Sequence, residues 1–259
     1  MLTLLGMTNL SDYGIINKSL LKGGGPVVKQ LDIRPGIVLL QDDRFFPLGE
    51  DTMLLSHFAA PRQNARGLDL CAGQGYLGIL TALRRPDLHL EAVELVEEAA
   101  QIAHKNAFLA NLDIPVARAD LRRLNLPHRY DFVLCNPPYF EAARGRTAAG
   151  ALAEARSDVG ASIGEVCAAA ARVLKTGGRF FLCFPASRLE ALFSALSQAD
   201  LAPKRLRFVH PRPGKEANLA LVEAVREGGP GITVLPPLFL KNADGTPSEE
   251  YRTIYEVRT

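Results

Sequence analysis

Between residues 66 and 199, apolar runs and amphipathic stretches take turns with little sequence between them, and no other feature restricts the possible folds as much. The pattern reads as strand 67–71, helix 76–84, strand 89–94, helix 97–110, strands 115–119 and 130–135, helix 162–175, strand 179–184 and helix 187–199. Parallel strands need crossover connections, and a crossover helix covers the sheet face, so this alternation predicts a mostly parallel sheet flanked by helices. The end of the chain changes character. Runs 204–210 and 219–225 are joined by 211–218, which holds two prolines and a glycine and is too short for a crossover helix. These runs should pair antiparallel, giving an α/β fold of seven strands closed by an antiparallel hairpin.

Ahead of the alternation lie a weakly periodic stretch with the breaker Gly23-Gly24-Gly25-Pro26, a strand at 36–40 and a helix at 51–58 with an acidic or hydroxyl cap in its first turn. We therefore divide the chain into an arm, 1–34, and one domain, 35–259. A length of 259 residues suits one large domain with an extension and disfavours two equal ones. The net charge of +2 excludes a generally basic coat, so any polyanionic partner must be met by local clusters of Lys and Arg. Cys71, Cys135, Cys167 and Cys183 lie in apolar patterns without a C-x-x-C pair. His57, His89, His104, His128 and His210 show no ligand spacing, so no metal site is expected. No apolar run reaches the roughly 18 residues of a membrane span, and a cytoplasmic protein with reduced cysteines is expected.

Leu68-Asp69-Leu70-Cys71-Ala72-Gly73-Gln74-Gly75-Tyr76 runs from a strand through a glycine turn into a helix, a setting in which backbone N–H groups can approach a ligand. A glycine-rich turn alone is weak evidence. Asp69 sharpens it, because a carboxylate here would repel a pyrophosphate but suits the ammonium and sulfonium of S-adenosylmethionine. Glu94, 25 residues later at the end of the second strand, can take two ribose hydroxyls. Asp120, ending the third, can accept from an adenine amino group. Each acid singly could be a solvated residue closing a strand; three at successive carboxyl ends, where open α/β sheets bind ligands, favour a cofactor site. Cys71, Ala72, Gly73, Gly75, Leu95 and Leu121 complete the expected cofactor contacts.

At the fourth strand's exit stands Asn136-Pro137-Pro138-Tyr139-Phe140. The prolines fix φ and lack N–H donors, so the carbonyls are held still as acceptors. An NH₂ conjugated to a ring or carbonyl is a poor nucleophile. If Asn136 Oδ1 and the Pro137 carbonyl accept its hydrogens, its lone pair turns toward the methyl group and the developing positive charge is stabilised. Tyr139 and Phe140 would stack on the planar group. Arg144, Arg146 and Arg156, with Lys204, Arg205, Arg207, Arg212 and Lys215, could meet phosphates at the same edge or be ordinary solvated charges.

Taken together, these motifs resemble those of the Rossmann-like class I S-adenosylmethionine-dependent methyltransferases. Within that class, residues from about 35 to 259 resemble the bacterial tRNA1(Val) (adenine-37-N6)-methyltransferases. The particular features are segment 41–55 with its Asp51-Thr52-Met53-Leu54-Leu55 ending, Phe140 after the tetrapeptide, and the tail from Gly214-Lys215-Glu216-Ala217-Asn218 through Leu235-Pro236-Pro237-Leu238 to Glu249-Glu250-Tyr251. The resemblance implies N6-methylation of an adenine in tRNA, with Asp69, Gly73, Gly75, Glu94, Asp120 and Asn136 at cofactor and catalytic positions. Two other activities use the same tetrapeptide. A glutamine methyltransferase of peptide release factors would carry a separate helical domain ahead of the cofactor motif, and an rRNA guanine-N2 methyltransferase a duplicated domain. The sequence leaves the oligomeric state open.

Overall fold

The computed structural model describes residues 28–137 and 160–256. Its centre is a nine-stranded sheet. In chain order the elements around it are β3 (Arg66–Leu70), α2 (Tyr76–Arg84), β4 (His89–Glu94), α3 (Glu97–Leu109), β5 (Val116–Arg118), β6 (Tyr130–Cys135), α4 (Ile163–Val173), β7 (Leu174–Pro185), α5 (Leu189–Gln198), β8 (Leu201–His210), β9 (Leu219–Arg226), β10 (Thr233–Val234) and β11 (Leu238–Phe239). The main order is β5-β4-β3-β6-β7-β9-β8, with β9 alone antiparallel to both neighbours. The seven expected strands are all present. β10 and β11 add two-residue parallel pairings along β8 and extend the sheet beyond expectation.

Side chains alternate faces along each strand. Phe132, Leu134, Phe181 and Cys183 enter the core beneath α1, α2 and α3; Val133, Cys135, Phe180 and Leu182 enter the core beneath α4 and α5. The strands are apolar on both faces because helices cover both. Some boundaries differ from the sequence reading. β7 begins at Leu174, directly after α4, where pairing of Leu174 with Tyr130 extends a strand whose apolar run starts only later.

Before the sheet come β1 (Val28–Arg34), β2 (Ile37–Asp42) and α1 (Glu50–Phe58). β1 lies within the stretch read as the arm and pairs antiparallel with β2. Its only buried residue is Ile33, so it forms through ladder bonds and leaves little hydrophobic periodicity to read. The hairpin is tied to α3 by buried Asn106, which accepts Leu40 N at 2.6 Å and donates to the Leu40 carbonyl at 3.0 Å. The N-cap of α1 is Gly49, with no side-chain cap, and the first-turn acid serves a neighbouring N–H instead, Asp51 Oδ1 accepting Thr52 N at 2.8 Å. A last helix, α6 (Glu249–Glu256), docks on α1, where Tyr251 Oη donates to Glu50 Oε1 at 2.5 Å.

Candidate active site

The strand order reverses at β3, whose neighbours β4 and β6 lead to opposite halves of the sheet. A crevice at the carboxyl edge follows from that reversal. There a cavity of about 410 Å³ is lined by Asp69 near the end of β3, Cys71, Ala72 and Gly73 after it, Glu94 and Leu95 at β4, Asp120 and Leu121 after β5, and Asn136 and Pro137 after β6. Gly75 does not line it. This glycine caps α2 at φ 85°, and a Cβ there would sit 2.9 Å from Ala103 Cβ, so its place is in the packing of α2 on α3. Pro138, Tyr139, Phe140, Arg144, Arg146, Arg156 and segment 148–155 lie outside the described residues.

Asp69 is 1% exposed. Its Oδ2 accepts Gly78 N at 2.8 Å, while Oδ1 is buried with no partner. Burial pushes its pKa up to about 7; the Gly78 hydrogen bond opposes the rise and the nearby Glu94 charge adds to it. A buried carboxylate oxygen with no donor is costly unless a cation or donor meets it, so this cavity fits a positively charged ligand. Glu94 braces the glycine turn, taking Gly73 N at 2.8 Å on Oε2 and Val96 N at 2.9 Å on Oε1. Asp120 is turned onto Arg122: Oδ1 accepts Arg122 N at 3.0 Å, and the guanidinium meets both oxygens, holding the carboxyl below its usual range.

Asn136 stands at the end of β6 and reaches back across the sheet to α1. Its Nδ2 donates to Asp51 Oδ2 and Thr52 Oγ1, each at 3.0 Å, and its Oδ1 accepts from Cys183 Sγ at 3.1 Å. Asp51 and Thr52 line the cavity with Phe45, Phe46 and Pro47. That upper wall hangs from Gln74, a buried side chain in the glycine turn whose Oε1 accepts Asp42 N at 2.7 Å and whose Nε2 donates to the Phe46 carbonyl at 2.9 Å. Phe46 is 64% exposed. Sequence reading missed Asp51, Thr52, Cys183 and Gln74 as parts of the site. Only the first two left a signal: a tandem acid and hydroxyl offer more polar atoms than a helix cap uses.

The basic residues of the terminal hairpin divide into two groups. Arg205 pairs with buried Glu223 at 2.7 Å and stacks over Phe58; Arg207 pairs with Glu250 at 2.6 Å; Lys204 meets the Gly229, Pro230 and Gly231 carbonyls. Arg212 and Lys215 are exposed in the turn between β8 and β9. β6, β7 and β8 run in one direction, so this turn stands on the edge that carries Asn136.

A parallel sheet closed by an inserted antiparallel strand, with an unpartnered carboxylate oxygen and an anchored asparagine in the crevice at its switch point, defines a class I S-adenosylmethionine-dependent methyltransferase. A predicted O-methyltransferase from Agrobacterium tumefaciens shares this fold, with a TM-score of 0.65 at 22% identity over 81% of this chain and 97% of that one. The chain belongs to the family of the bacterial tRNA1(Val) (adenine(37)-N6)-methyltransferases, within the methyltransferase small domain proteins, whose family model matches residues 50–198. The relative from Aeromonas hydrophila is 31% identical over 208 residues, 79% of this chain and 86% of that protein. With the relative from Aliivibrio fischeri the alignment is 35% identical over 96 residues, 36% of this chain and 41% of that protein. A ribosomal protein uL3 glutamine methyltransferase from Bradyrhizobium diazoefficiens is 33% identical over 132 residues, 49% of this chain and 40% of that protein.

Proposed function

We propose that this protein methylates the N6 amine of an adenine in tRNA. The observation that carries the reading is the placement of the Asn136 amide in the same cavity as the unpartnered Asp69 oxygen. S-adenosylmethionine, when bound, supplies an electrophilic methyl group and brings the positive charges that a buried carboxylate favours. Asp69 would hold that charge, the Gly73 turn and Glu94 the ribose, and Asp120 and Leu121 after β5 the base. Asn136 Oδ1 and the Pro137 carbonyl would accept the two hydrogens of the target amine and direct its lone pair. Tyr139 and Phe140 would stack on the adenine, with Arg144 and Arg146 at the flanking phosphates. The relatives' names supply the tRNA and the adenine. No helix among the described residues is long and apolar enough to cross a membrane, and we place the activity in the cytoplasm with its substrate.

A glutamine side chain also presents a conjugated NH₂, and the uL3-methylating relative gives that alternative a specific basis. Labelled cofactor incubated in parallel with unmodified tRNA, ribosomal RNA and ribosomal or release-factor protein separates the substrates. Label recovered as N6-methyladenosine from tRNA is expected; label in protein alone overturns the reading. Asn136→Ala should abolish turnover while cofactor still binds.

A further inference from the structure

A carboxamide is nearly symmetric in shape but not in chemistry: one end accepts hydrogen bonds and the other donates them. For Asn136 to accept from a target amine, its oxygen must face that amine. If the NH₂ end faced it, two donors would meet and the substrate would be repelled. Something in the protein must therefore choose between two orientations of similar volume.

α1 supplies that choice. Asp51 Oδ2 lies 3.0 Å from Asn136 Nδ2, and an ionised carboxylate only accepts, so the NH₂ end alone can occupy that side. Thr52 Oγ1, also at 3.0 Å from Nδ2, takes the second amide hydrogen. On the other side Cys183 Sγ donates to Oδ1, a weak bond that leaves a further acceptor direction on that oxygen. Asp51 is itself fixed. Its Oδ1 accepts Thr52 N at 2.8 Å, and the carboxylate folds back over Gly49 so closely that a Cβ there would lie 2.5 Å from Oδ1. The acid is thus spent on the helix start and on Asn136, and its negative charge polarises the amide toward a more electron-rich oxygen.

We propose that Asp51 and Thr52 are positioning residues that set the orientation of the Asn136 amide, so that its oxygen and not its nitrogen faces the target amine. This rests on the reading of Asn136 as the acceptor of that amine. The role differs from general support of the fold because it depends on hydrogen-bond direction, which an exchange of the two side chains can reverse. Asp51→Asn either sets an NH₂ against Thr52 N–H or Asn136 Nδ2, or turns the Asn136 amide round so that its NH₂ faces the target. Asn136→Asp sets two carboxylates face to face. Combined, the substitutions reverse the two bonds that orient residue 136 and keep the rest: the amide introduced at position 51 donates to the carboxylate introduced at position 136, the Thr52 hydroxyl turns to donate, and Thr52 N and Cys183 Sγ donate as before to oxygens, the outer one of the new carboxylate remaining an acceptor.

The test measures kcat and KM for tRNA methylation and cofactor Kd by calorimetry for Asp51→Asn, Asn136→Asp, the double exchange, Asp51→Ala and Asn136→Ala. We expect each single exchange to lower kcat at least about tenfold, with cofactor Kd changed less than about threefold, and the double exchange to recover at least about tenfold over Asn136→Asp. A double exchange no better than Asn136→Asp, or Asp51→Ala at full kcat while Asn136→Ala is inactive, overturns the proposal alone. Activity surviving in Asn136→Ala overturns the underlying reading. Thermal unfolding of each variant checks its fold, and because the double exchange keeps the volume and the bonding atoms, it decides the matter even if Asp51→Ala does not fold.

Discussion

Gln74 and Asp42 grip each other through a two-way amide contact: Gln74 Oε1 accepts Asp42 N at 2.7 Å, and Gln74 Nε2 donates to the Asp42 carbonyl at 3.3 Å. The glycine turn and the end of β2 are thereby one unit, and the Phe45–Phe46 wall of the cavity hangs from it. Gln74→Ala leaves the Asp42 N–H without its buried partner. A stability loss of about 1–3 kcal/mol is expected in denaturant unfolding. Amide exchange at residues 42–46 should accelerate while exchange in β6 does not, and cofactor Kd should rise.

Asp69 gives cofactor binding a defined pH dependence. Its folded pKa of about 7 lies above the ordinary 3.8, so between those values the ligand-free protein holds a proton that the unfolded chain has released. Stability of the ligand-free protein therefore declines as pH rises through that window and levels off above about 7. Binding of a cation has the opposite slope, because the carboxylate must ionise to meet it. Affinity for S-adenosylmethionine should weaken up to tenfold per pH unit below about 7 and be flat above it. Calorimetry across pH 5.5 to 8.5 measures this, and a slope that persists in Asp69→Asn would assign it to another group.

The two glycines of the turn should respond differently to alanine. At Gly75 the added methyl meets Ala103 Cβ at 2.9 Å and Ala103 Cα at 3.1 Å, with φ at 85°, so α3 must shift. Gly75→Ala should cost about 2–4 kcal/mol in stability. At Gly73, φ is 55° and a Cβ meets nothing within 4 Å, but the residue lines the cavity. Gly73→Ala should cost only about 1–2 kcal/mol in denaturant unfolding and show its larger effect as a weakened cofactor Kd.

Basic residues of the terminal hairpin should separate by what they already touch. Arg212→Ala combined with Lys215→Ala should lower RNA affinity and reduce the slope of log affinity against log salt by about 1.5, with cofactor Kd unchanged. Arg205→Ala removes a partner from Glu223, which is 0% exposed, and should cost about 2 kcal/mol of stability with little effect on the salt slope. Filter binding across a salt series distinguishes the two; an unchanged slope in the double variant would show that the turn makes no phosphate contact.

The order and type of the main elements were legible because β3 through β9 are covered on both faces and carry long apolar runs. β10 and β11 were not, since two-residue pairings hold too few side chains to form a pattern. Within the site, residues at or just past strand ends announced themselves by position: Asp69, Glu94, Asp120 and Asn136 all fall where parallel strands stop. The contact of Asn136 with Asp51 spans 85 residues and depends on α1 crossing above the sheet, which no local periodicity encodes. Gln74 carries no signal of its own within the glycine turn, because its partners lie at the end of β2 and just beyond it, and only the tertiary fold reveals that strand's place beside the turn.

The contact of Tyr251 with Glu50 joins positions 201 residues apart, and Glu50 adjoins the acid that grips Asn136. A ribosome makes α1 before and α6 after the seven main strands, so a nascent chain can assemble those strands before the brace on α1 exists. A segment made after the main sheet thus braces the helix whose first turn holds Asn136, and that hold is complete only once synthesis has passed residue 251.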